Sequence, residues 1–311
     1  MNQPISICVV IPARNAADTL ARAIDSVLAQ TRSASEIVVV DDAGTDDTAA
    51  VARAYRAQGV MLVTLHARRG AAGARNAGIA AAGGNWIAFL DADDEWLPAK
   101  LEQQAEAIGR QPDASLVFCA SEEFLPDGKS LGDTFSGGQA STGRDAWKAL
   151  LKTNFVATPT VMAPRALLVR LGGFDENLGV GEDQDMWIKL ALAGHLAYVP
   201  ERLVRVHVRP KSLSAYRAAD QSRHMLPMIE RHLRQQGSRL SKAEMRGILG
   251  ERLGNAGRIA FAHGDLRHGA AFALRAAMLG HRPLAAFAQI AKAPVSAFFR
   301  RAGMPRRQTA L

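Results

Sequence analysis

The sequence predicts an α/β fold with a doubly wound, mostly parallel sheet, followed by a helical and basic extension. Two observations lead to this prediction. Apolar strand-like runs alternate with helix-like segments through residues 5–90, which is typical of a parallel sheet. From about Tyr216 the pattern changes to helices separated by glycine and proline. We therefore expect two domains, 1–215 and 216–311.

Four continuous apolar runs are suited to buried parallel strands; they lie at 5–11, 36–40, 60–65 and 86–90. Helices are expected between these strands. The helix after the first strand is predicted to be capped by Asn15 or Asp18. Its core-facing residues are predicted to be Leu20, Ile24, Val27 and Leu28.

The remainder of the first domain is less regular. Pro98 is predicted to open a helix that runs to about Gly109, because proline is tolerated in a first turn. A mobile loop rich in Gly, Ser and Asp is expected at 127–143. Shorter strands are predicted at 116–120 and 160–163, and helices at 145–151 and 183–193. The apolar segments 198–200 and 203–208 are expected to complete the core.

The charge of the chain is unevenly distributed. The net charge of +8 combines −7 in residues 1–200 with +15 in residues 201–311, and no acidic residue follows Asp265. Such a basic region attracts anionic partners, but its few aromatic residues argue against nucleic-acid binding by base stacking. Two interpretations stay open: helices packed on the first domain, or an interfacial segment that contacts an anionic membrane.

Cysteine content and apolar runs indicate the compartment. Cys8 and Cys119 lie in apolar runs and are predicted to be buried free thiols, which favours a reducing environment. The N-terminus lacks the features of a signal peptide, and no apolar run approaches the ~18 residues that span a bilayer. We expect a cytoplasmic protein, peripheral on the cytoplasmic face of the inner membrane if the basic region binds lipid.

Two acidic clusters follow predicted strands, at the sheet edge where open α/β folds bind ligands. The cluster that more strongly indicates a ligand site consists of Asp91, Asp93, Asp94 and Glu95. These charges repel one another unless a cation such as Mg²⁺ or Mn²⁺ neutralises them, although a solvated turn is the alternative. In the other cluster, Asp42 can accept hydrogen bonds from a ribose or a uracil-type imide, or can belong to a helix-starting turn.

A third acidic cluster, Glu182, Asp183 and Asp185, opens a predicted helix. The helix dipole alone would favour carboxylates there. The functional alternative is that one of them acts as a general base and deprotonates an acceptor hydroxyl.

A series of segments resembles, in order, the landmarks of family 2 glycosyltransferases. VVIPARN at 9–15 is similar to the opening VVIPAYN, and SVLAQT at 26–31 is followed by EIVVVDDAGTDDT at 36–48. GARNAG, FLDADD, GGFD, GED and a late histidine segment follow at 73–78, 89–94, 172–175, 181–183 and 207–214. The resemblance covers about residues 5 to 215.

The resemblance implies a GT-A fold, which is Rossmann-like, and it implies roles for the matching residues. The nucleotide sugar would be bound by Pro12, Ala13, Asn15, Asp42, Arg75, Asp91, Ala92 and Glu182. A divalent metal, Mn²⁺ or Mg²⁺, would be held by Asp93, Asp94 and His207. Asp183 matches the catalytic base, with Glu182 and Asp185 as lesser candidates. Arg209 and Lys211 would close over the diphosphate or remain solvated.

The same resemblance implies an inverting, one-step transfer of a sugar from a nucleotide-sugar donor, UDP- or dTDP-linked, to a carbohydrate or lipid-linked acceptor. The sequence lacks the Gln-x-x-Arg-Trp motif of processive synthases, so transfer of a single sugar is expected. Arg14 replaces the family's tyrosine, and Ala43-Gly44 replaces its Gly-Ser, which puts the geometry of that turn in doubt.

Other nucleotide-using enzymes fit the sequence less well. A sugar-phosphate nucleotidyltransferase would have a glycine-rich basic loop after the first strand, and a dinucleotide oxidoreductase would have Gly-x-Gly-x-x-Gly there. Here that loop is Pro-Ala-Arg-Asn. The remaining alternative is a non-catalytic nucleotide-sugar-binding or scaffold protein on the same fold.

Overall fold

The computed structural model describes residues 4–134, 141–208 and 220–281. These residues form two compact units, the first with 4–134, 141–150 and 154–208, the second with 151–153 and 220–281. The first unit has the predicted α/β fold, and the second is helical.

Within the described part of the chain, nine strands form one sheet. They are β1 (Ile7–Ala13), β2 (Glu36–Asp41), β3 (Val60–Thr64), β4 (Trp86–Phe89), β5 (Glu95–Trp96), β6 (Ala114–Phe124), β7 (Ser130–Asp133), β8 (Met162–Pro164) and β9 (His195–His207). The order is β3-β2-β1-β4-β8-β6-β9-β5, with β7 beside β6. The first four predicted strands are confirmed, with their ends moved by one or two residues.

Strand direction divides the sheet into regions. β1 pairs in parallel with both β2 and β4, and β2 pairs in parallel with β3. β6 pairs in parallel with β9, whereas β8 runs antiparallel to its neighbours β4 and β6. β5 and β7 are also antiparallel to their partners. The carboxyl ends of β1, β2 and β4 therefore meet at one edge, as the doubly wound prediction requires.

The helices before residue 208 are α1 (Ala17–Leu28), α2 (Thr48–Ala54), α3 (Gly70–Ala81), α4 (Lys100–Arg110), α5 (Ala146–Lys152), α6 (Arg165–Arg170) and α7 (Glu182–Ala193). Close packing of α3 on β1 depends on Gly78, where a Cβ atom would lie 2.3 Å from Val10 Cγ1. A side chain at that position would force the helix away from the sheet.

Three local predictions around the first and fourth helices were wrong. Neither Asn15 nor Asp18 caps α1, whose N-cap is Ala16 with no side-chain hydrogen bond. Leu28 is 42% exposed because it lies in the last turn, beyond the buried stripe of the helix. Pro98 does not start a helix, because α4 begins two residues later at Lys100.

The segment predicted as a mobile loop at 127–143 includes strand β7, which forms a hairpin with β6. Residues 135–140 of that segment lie outside the described residues. The segments 198–200 and 203–208, which were expected to complete the core, belong almost entirely to one long strand, β9. Pairing along β6 maintains this strand through Pro200, with a register shift near that point.

The core of the first unit lies between the sheet and its helices. β1 contributes Val9 and Ile11, and α1 contributes Leu20, Ile24 and Val27, all buried. Both cysteines are buried free thiols, as predicted. This core fixes the strands whose ends carry the acidic clusters.

The second unit contains α8 (Leu226–Gln235), α9 (Lys242–Ala262) and α10 (Leu266–Met278), preceded by a π-helical turn at Gln221–Met225. Ser241 and Glu244 form a reciprocal capping box at the start of α9. Its core is small and apolar, and consists of Leu226, Leu253, Ala256, Ala260, Phe272 and Ala276. Among the described residues, none of the helices has both the length and the apolarity needed to cross a membrane.

Candidate active site

Hydrogen bonds join the loop after β1 to the loop after β2. Asn15 has a φ of +50°, and its Oδ1 accepts a hydrogen bond of 2.8 Å from Thr45 N. Asp42 N donates to Ala13 O at 2.9 Å. Ala43 has a φ of +51°, in the left-handed region that glycine adopts at lower cost. The turn is therefore strained at the position where the sequence differs from the family pattern.

Asp42 is buried and holds the beginning of α3. Its Oδ1 accepts from Arg69 N at 2.6 Å, and its Oδ2 accepts from Gly70 N at 2.8 Å. These N–H groups belong to the helix N-terminus, where they lack helical partners and where the dipole favours a carboxylate. Each carboxylate oxygen can accept a second hydrogen bond, so the predicted contact with a nucleotide stays a prediction.

Two hydrogen bonds hold the acidic segment after β4, one from an arginine side chain and one from a backbone N–H group. Arg22 of α1 donates from Nη2 to the carbonyl oxygen of Asp93 at 2.5 Å. His207 N, at the end of β9, donates to Asp94 Oδ1 at 2.9 Å. Burial raises the pKa of Asp94 well above its usual range, and the charges of Asp91 and Asp93 raise it further. Several carboxylates therefore share one small region.

Arg75 of α3 links this acidic segment to the start of α7. Its Nη2 donates to Asp91 Oδ1 at 3.0 Å, and its Nη1 donates to Glu182 Oε1 at 2.8 Å. The guanidinium also lies 5.5 Å from the centre of the Phe174 ring. Burial alone would lower the pKa of Arg75, but the charges of Asp91 and Glu182 keep it above its ordinary value. The guanidinium therefore stays charged while buried.

Asp183 lies beside this pair, in the first turn of α7. Its Oδ1 accepts from Gln184 N at 2.6 Å, and its Oδ2 accepts from Asn154 Nδ2 at 3.0 Å. Burial raises the pKa of Asp183 to about 6, the charge of Glu182 raises it too, and Arg75 and both hydrogen bonds oppose the rise. A carboxyl group with this pKa is ionised at neutral pH and is a stronger base than an exposed aspartate.

The neighbouring acids of α7 are placed differently. Asp185 is fully buried and forms an ion pair of 2.6 Å with Lys189, one turn further along the helix. Glu182 is bound to Arg75. Of the three acidic residues, Asp183 is the one that combines partial exposure with a raised pKa.

Among the described residues, no three His, Cys, Asp or Glu side chains are grouped so that they alone could hold a metal ion. The donor chemistry nevertheless suits a hard divalent cation, because Asp91 and Asp93 raise the pKa of buried Asp94 through their negative charge. Phosphate oxygens of a substrate would complete such a site. At His207, the backbone N–H contacts Asp94, and the ring centre lies 6.2 Å from that of Phe124.

Other predicted site residues take their places at the same edge. Pro12 is partly buried near the end of β1, and Ala92 is buried between the acidic residues of its segment. Arg209 and Lys211 lie outside the described residues.

The sequence did not single out Asn76, which joins two of its motifs. Asn76 Nδ2 donates to Phe174 O at 2.9 Å, and its Oδ1 accepts from Phe174 N at 2.8 Å. Glu176 accepts from Asn76 Nδ2 and from the guanidinium of Arg69. The amide of Asn76 thus fixes the GGFD turn on α3, and its position inside GARNAG was the available signal.

Asn154 and Arg22 were also missed, because neither lies in a carboxylate-rich or glycine-rich motif. Asn154 contacts Asp183, and Arg22 contacts the backbone of the acidic segment. Only the fold brings these residues to the site, since they are separated from their partners by 29 and 71 positions.

A family model described as Glycosyl transferase family 2 matches residues 8–160. The succinoglycan biosynthesis protein ExoO of Rhizobium meliloti (strain 1021) is 35% identical over 237 residues, 72% of this chain and 67% of ExoO. The putative teichuronic acid biosynthesis glycosyltransferase TuaG of Bacillus subtilis (strain 168) is 30% identical over 230 residues, 72% of this chain and 88% of TuaG. The UDP-Glc:alpha-D-GlcNAc-diphosphoundecaprenol beta-1,3-glucosyltransferase WfgD of Escherichia coli is 30% identical over 184 residues, 59% of this chain and 69% of WfgD.

Solved structures show the same fold. The S. aureus TarS 1-349 complex with UDP-GlcNAc matches with a TM-score of 0.70 and 20% identity, over 97% of this chain and 93% of that one. The mannosyltransferase PcManGT of Pyrobaculum calidifontis, in complex with GDP-Man and Mn2+, matches with a TM-score of 0.57 and 22% identity, over 96% of this chain and 88% of that one. The fold is GT-A.

Proposed function

This chain belongs to glycosyltransferase family 2 and is a glycosyltransferase, and we propose that it transfers a single sugar from a nucleotide-diphosphate sugar to an acceptor hydroxyl with inversion. The observation that carries the proposal is the position of Asp183, which has a pKa of about 6 and lies next to the buried Arg75 bridge between Asp91 and Glu182. The bridge connects Asp91, on the donor side, to the start of α7, which carries the proposed general base.

The donor would lie at the carboxyl ends of β1, β2 and β4. The base and ribose would contact the loop of Pro12, Ala13 and Asn15 together with Asp42, which the hydrogen bonds between the two loops hold in place. The diphosphate would lie near the acidic segment, with Arg75, Asp91, Ala92 and Glu182 around the donor. UDP or dTDP is proposed as the nucleotide, and the TarS complex with UDP-GlcNAc supports UDP on the same fold.

The carboxylates of Asp93 and Asp94, with His207, would hold Mn²⁺ or Mg²⁺. The bound metal would supply electrostatic stabilisation of the negative charge that develops on the leaving diphosphate. The crowding of Asp94 by Asp91 and Asp93 supports this assignment, and the Mn2+ in the PcManGT complex supports it by analogy of fold.

Asp183 would accept the proton of the acceptor hydroxyl, whose oxygen then attacks the anomeric carbon from the face opposite the leaving group. The proton goes to Asp183, and the diphosphate leaves with the bonding electrons. Glu182 cannot serve equally well, because it is engaged by Arg75, and Asp185 is fully buried against Lys189. A base placed away from the metal keeps its negative charge available for the proton.

The acceptor is proposed to be a lipid-linked sugar of a cell-surface polysaccharide or glycolipid. The names of ExoO and TuaG refer to polysaccharide synthesis, and WfgD is named for a diphosphoundecaprenol-linked acceptor. We therefore propose a location on the cytoplasmic face of the inner membrane. The alternative of a non-catalytic scaffold is excluded by membership of the family of transferases.

Peripheral membrane contact is proposed for the second unit. On α10, Leu274 and Met278 are 49% and 79% exposed, beside the exposed Arg267 and Arg275. Exposed apolar and basic residues on one helix are typical of interfacial binding to anionic lipid. Flotation with phosphatidylglycerol vesicles should recover the protein, and phosphatidylcholine vesicles should not. Recovery with both or with neither would contradict the electrostatic part of the proposal.

Calorimetric titration tests the donor site. UDP, dTDP and GDP are titrated with and without Mn²⁺ into the wild-type protein and the Asp93→Ala variant, with the exposed Asp127→Ala as the matched control. We expect one nucleotide to bind, to require the metal, and to lose affinity only in Asp93→Ala. Equal binding to both variants would overturn the metal assignment.

The base assignment is tested by Asp183→Asn. This variant should retain nucleotide binding and lose about 10²- to 10⁴-fold in kcat, the usual contribution of a general base. UDP-glucose and a lipid-linked GlcNAc diphosphate are the first donor and acceptor to use. Substantial turnover by Asp183→Asn with the same substrates would refute the role of Asp183.

A further inference from the structure

We propose that Asn154 is a positioning residue for the transfer reaction, whose side-chain amide holds the Asp183 carboxylate in a single orientation toward the acceptor. This inference depends on the proposed role of Asp183 as the base. Asn154 would act through Asp183 and would not itself contact the reacting atoms.

Two donors on two different segments fix the carboxylate of Asp183. Asn154 Nδ2 donates to Oδ2 at 3.0 Å, and Gln184 N donates to Oδ1 at 2.6 Å. With one hydrogen bond to each oxygen, the carboxylate cannot rotate about its Cβ–Cγ bond without breaking both. Each oxygen keeps a second lone-pair direction, so the group can still accept a proton from a hydroxyl.

The amide of Asn154 is itself oriented by the chain. Its Oδ1 accepts a hydrogen bond of 3.2 Å from Val156 N, two residues further along, in an Asx-type turn. Because the oxygen is used in this turn, the NH₂ group is the one that faces Asp183. The acceptor at Asp183 Oδ2 and the donor at Val156 N both require this orientation of the Asn154 amide.

The segment after Asn154 is held by buried side chains from elsewhere in the first unit. Trp96 Nε1 donates to Pro159 O at 2.8 Å, and Gln104 Nε2 donates to Thr160 O at 2.8 Å. Val156 is fully buried. These contacts fix the backbone at Val156, Pro159 and Thr160, within six residues of Asn154.

A further buried contact secures this arrangement. Lys100 Nζ donates to Gln104 Oε1 at 2.7 Å and lies 3.8 Å from the centre of the Trp96 ring. Lys100 thus contacts both residues that hold the carbonyl groups of the segment. Such a fully buried ammonium is costly, which fits a role in fixing the segment.

The charged groups that face Asp183 are Glu182 on its own helix and Arg75 on α3. Glu182 opposes ionisation of Asp183 and Arg75 favours it. The Asn154 amide, as a donor, also favours the ionised form. Loss of that donor should make Asp183 harder to ionise and should free its carboxylate to rotate.

The decisive experiment is a ¹³C NMR titration of the full-length protein labelled at aspartate carboxyl carbons. The Asp183 resonance is identified by its absence from the Asp183→Asn spectrum. Asn154→Ala should raise the titration midpoint of Asp183 by about one pH unit, the equivalent of one hydrogen bond to a charged group. Asn85→Ala is the matched control and should leave the midpoint unchanged. Asn85 accepts a hydrogen bond from Ser6 N and donates one to Pro4 O, near the opposite end of β4.

A second variant guards against loss of folding. Asn154→Asp keeps the size of the side chain and an oxygen for Val156 N, but places a carboxylate where the donor was. It should raise the midpoint of Asp183 further, with the two carboxyl groups titrating as a pair. An Asp183 midpoint that is unchanged in both variants would overturn the inference.

Activity measurements separate this inference from the proposed function. In Asn154→Ala, the acidic limb of kcat/KM should move to higher pH and kcat should fall, with nucleotide affinity unchanged. If Asp183→Asn retains turnover, the base assignment fails. If Asp183→Asn is inactive while Asn154→Ala keeps the wild-type pH profile, only the positioning role fails.

Discussion

Arg75 donates a hydrogen bond of 3.0 Å to Asp91 from a position that is almost completely buried. The same guanidinium binds Glu182, 107 positions away in the chain. One side chain therefore joins the end of β4 to the start of α7. The proposed donor site and the proposed general base both depend on it.

Replacement of Arg75 by Met should strongly destabilise the protein. It would leave Asp91 and Glu182 without their buried cation, which typically costs about 3–5 kcal/mol. Urea unfolding measures the loss. The control is Arg110→Met, which removes an exposed i,i+4 pair with Glu106 and should cost less than about 1 kcal/mol. Similar losses in both variants would mean that the Arg75 bridge contributes no special stability.

The activity of the enzyme should depend on ionised Asp183. Its pKa is raised to about 6, so kcat/KM should fall as the pH drops below 6 and should level off above 7. An ordinary aspartate would sustain activity to about pH 4. The measurement is a pH–rate profile at saturating metal, with protein stability checked at each pH. A profile that stays flat down to pH 5 would contradict the assigned base.

Lys100 should make folding stability rise with pH. Burial lowers the pKa of Lys100 to about 8, below its ordinary value of 10.5. Between these values the unfolded chain binds more protons, so raising the pH stabilises the folded state. The difference in unfolding free energy between wild type and Lys100→Met should shift by about 1 kcal/mol in favour of wild type from pH 7 to pH 9.

The comparison with Lys100→Met is needed because two buried thiols act in the opposite direction. Burial raises the pKa of Cys8 to about 12 and that of Cys119 to about 11, so their contribution to stability is lost above pH 9. The contribution of Cys8 is the same in both proteins and cancels. Cys119 is coupled to Lys100, whose charge lowers the pKa of that thiol, so the comparison is confined to pH 7–9, where the thiols contribute little. Lys129→Met, which replaces an exposed lysine, is the control, and its unfolding free energy should depend on pH as that of the wild type does. A difference in unfolding free energy between wild type and Lys100→Met that does not change with pH would refute the prediction.

Ala43→Gly should stabilise the turn after β2 by up to about 1 kcal/mol. Ala43 has a φ of +51°, which an L-residue adopts at a cost of about 1–2 kcal/mol and glycine adopts freely. The matched control, Ala50→Gly in the exposed face of α2, should destabilise by about 0.5–1 kcal/mol. Thermal unfolding of the two variants should therefore shift in opposite directions, and a shared decrease would contradict the strain.

Local patterns were sufficient for the first half of the sheet. The apolar runs of β1 to β4 appear where they were predicted, because a buried parallel strand needs continuous apolar residues and this requirement is local. Asp42 and Asp91 follow strand ends for the same reason. The errors at Leu28 and Pro98 arose where helix ends depend on contacts that periodicity does not contain.

The amino-acid sequence by itself determined the family, the α/β alternation and the acidic segments at the strand ends, because each of these features depends on short motifs and on their order along the chain. Only the tertiary structure decided which charges meet. The Arg75 bridge and the contact of Asn154 with Asp183 join segments that are distant in the chain. Burial of those groups, which sets the pKa of Asp183, exists only after the sheet and helices have packed.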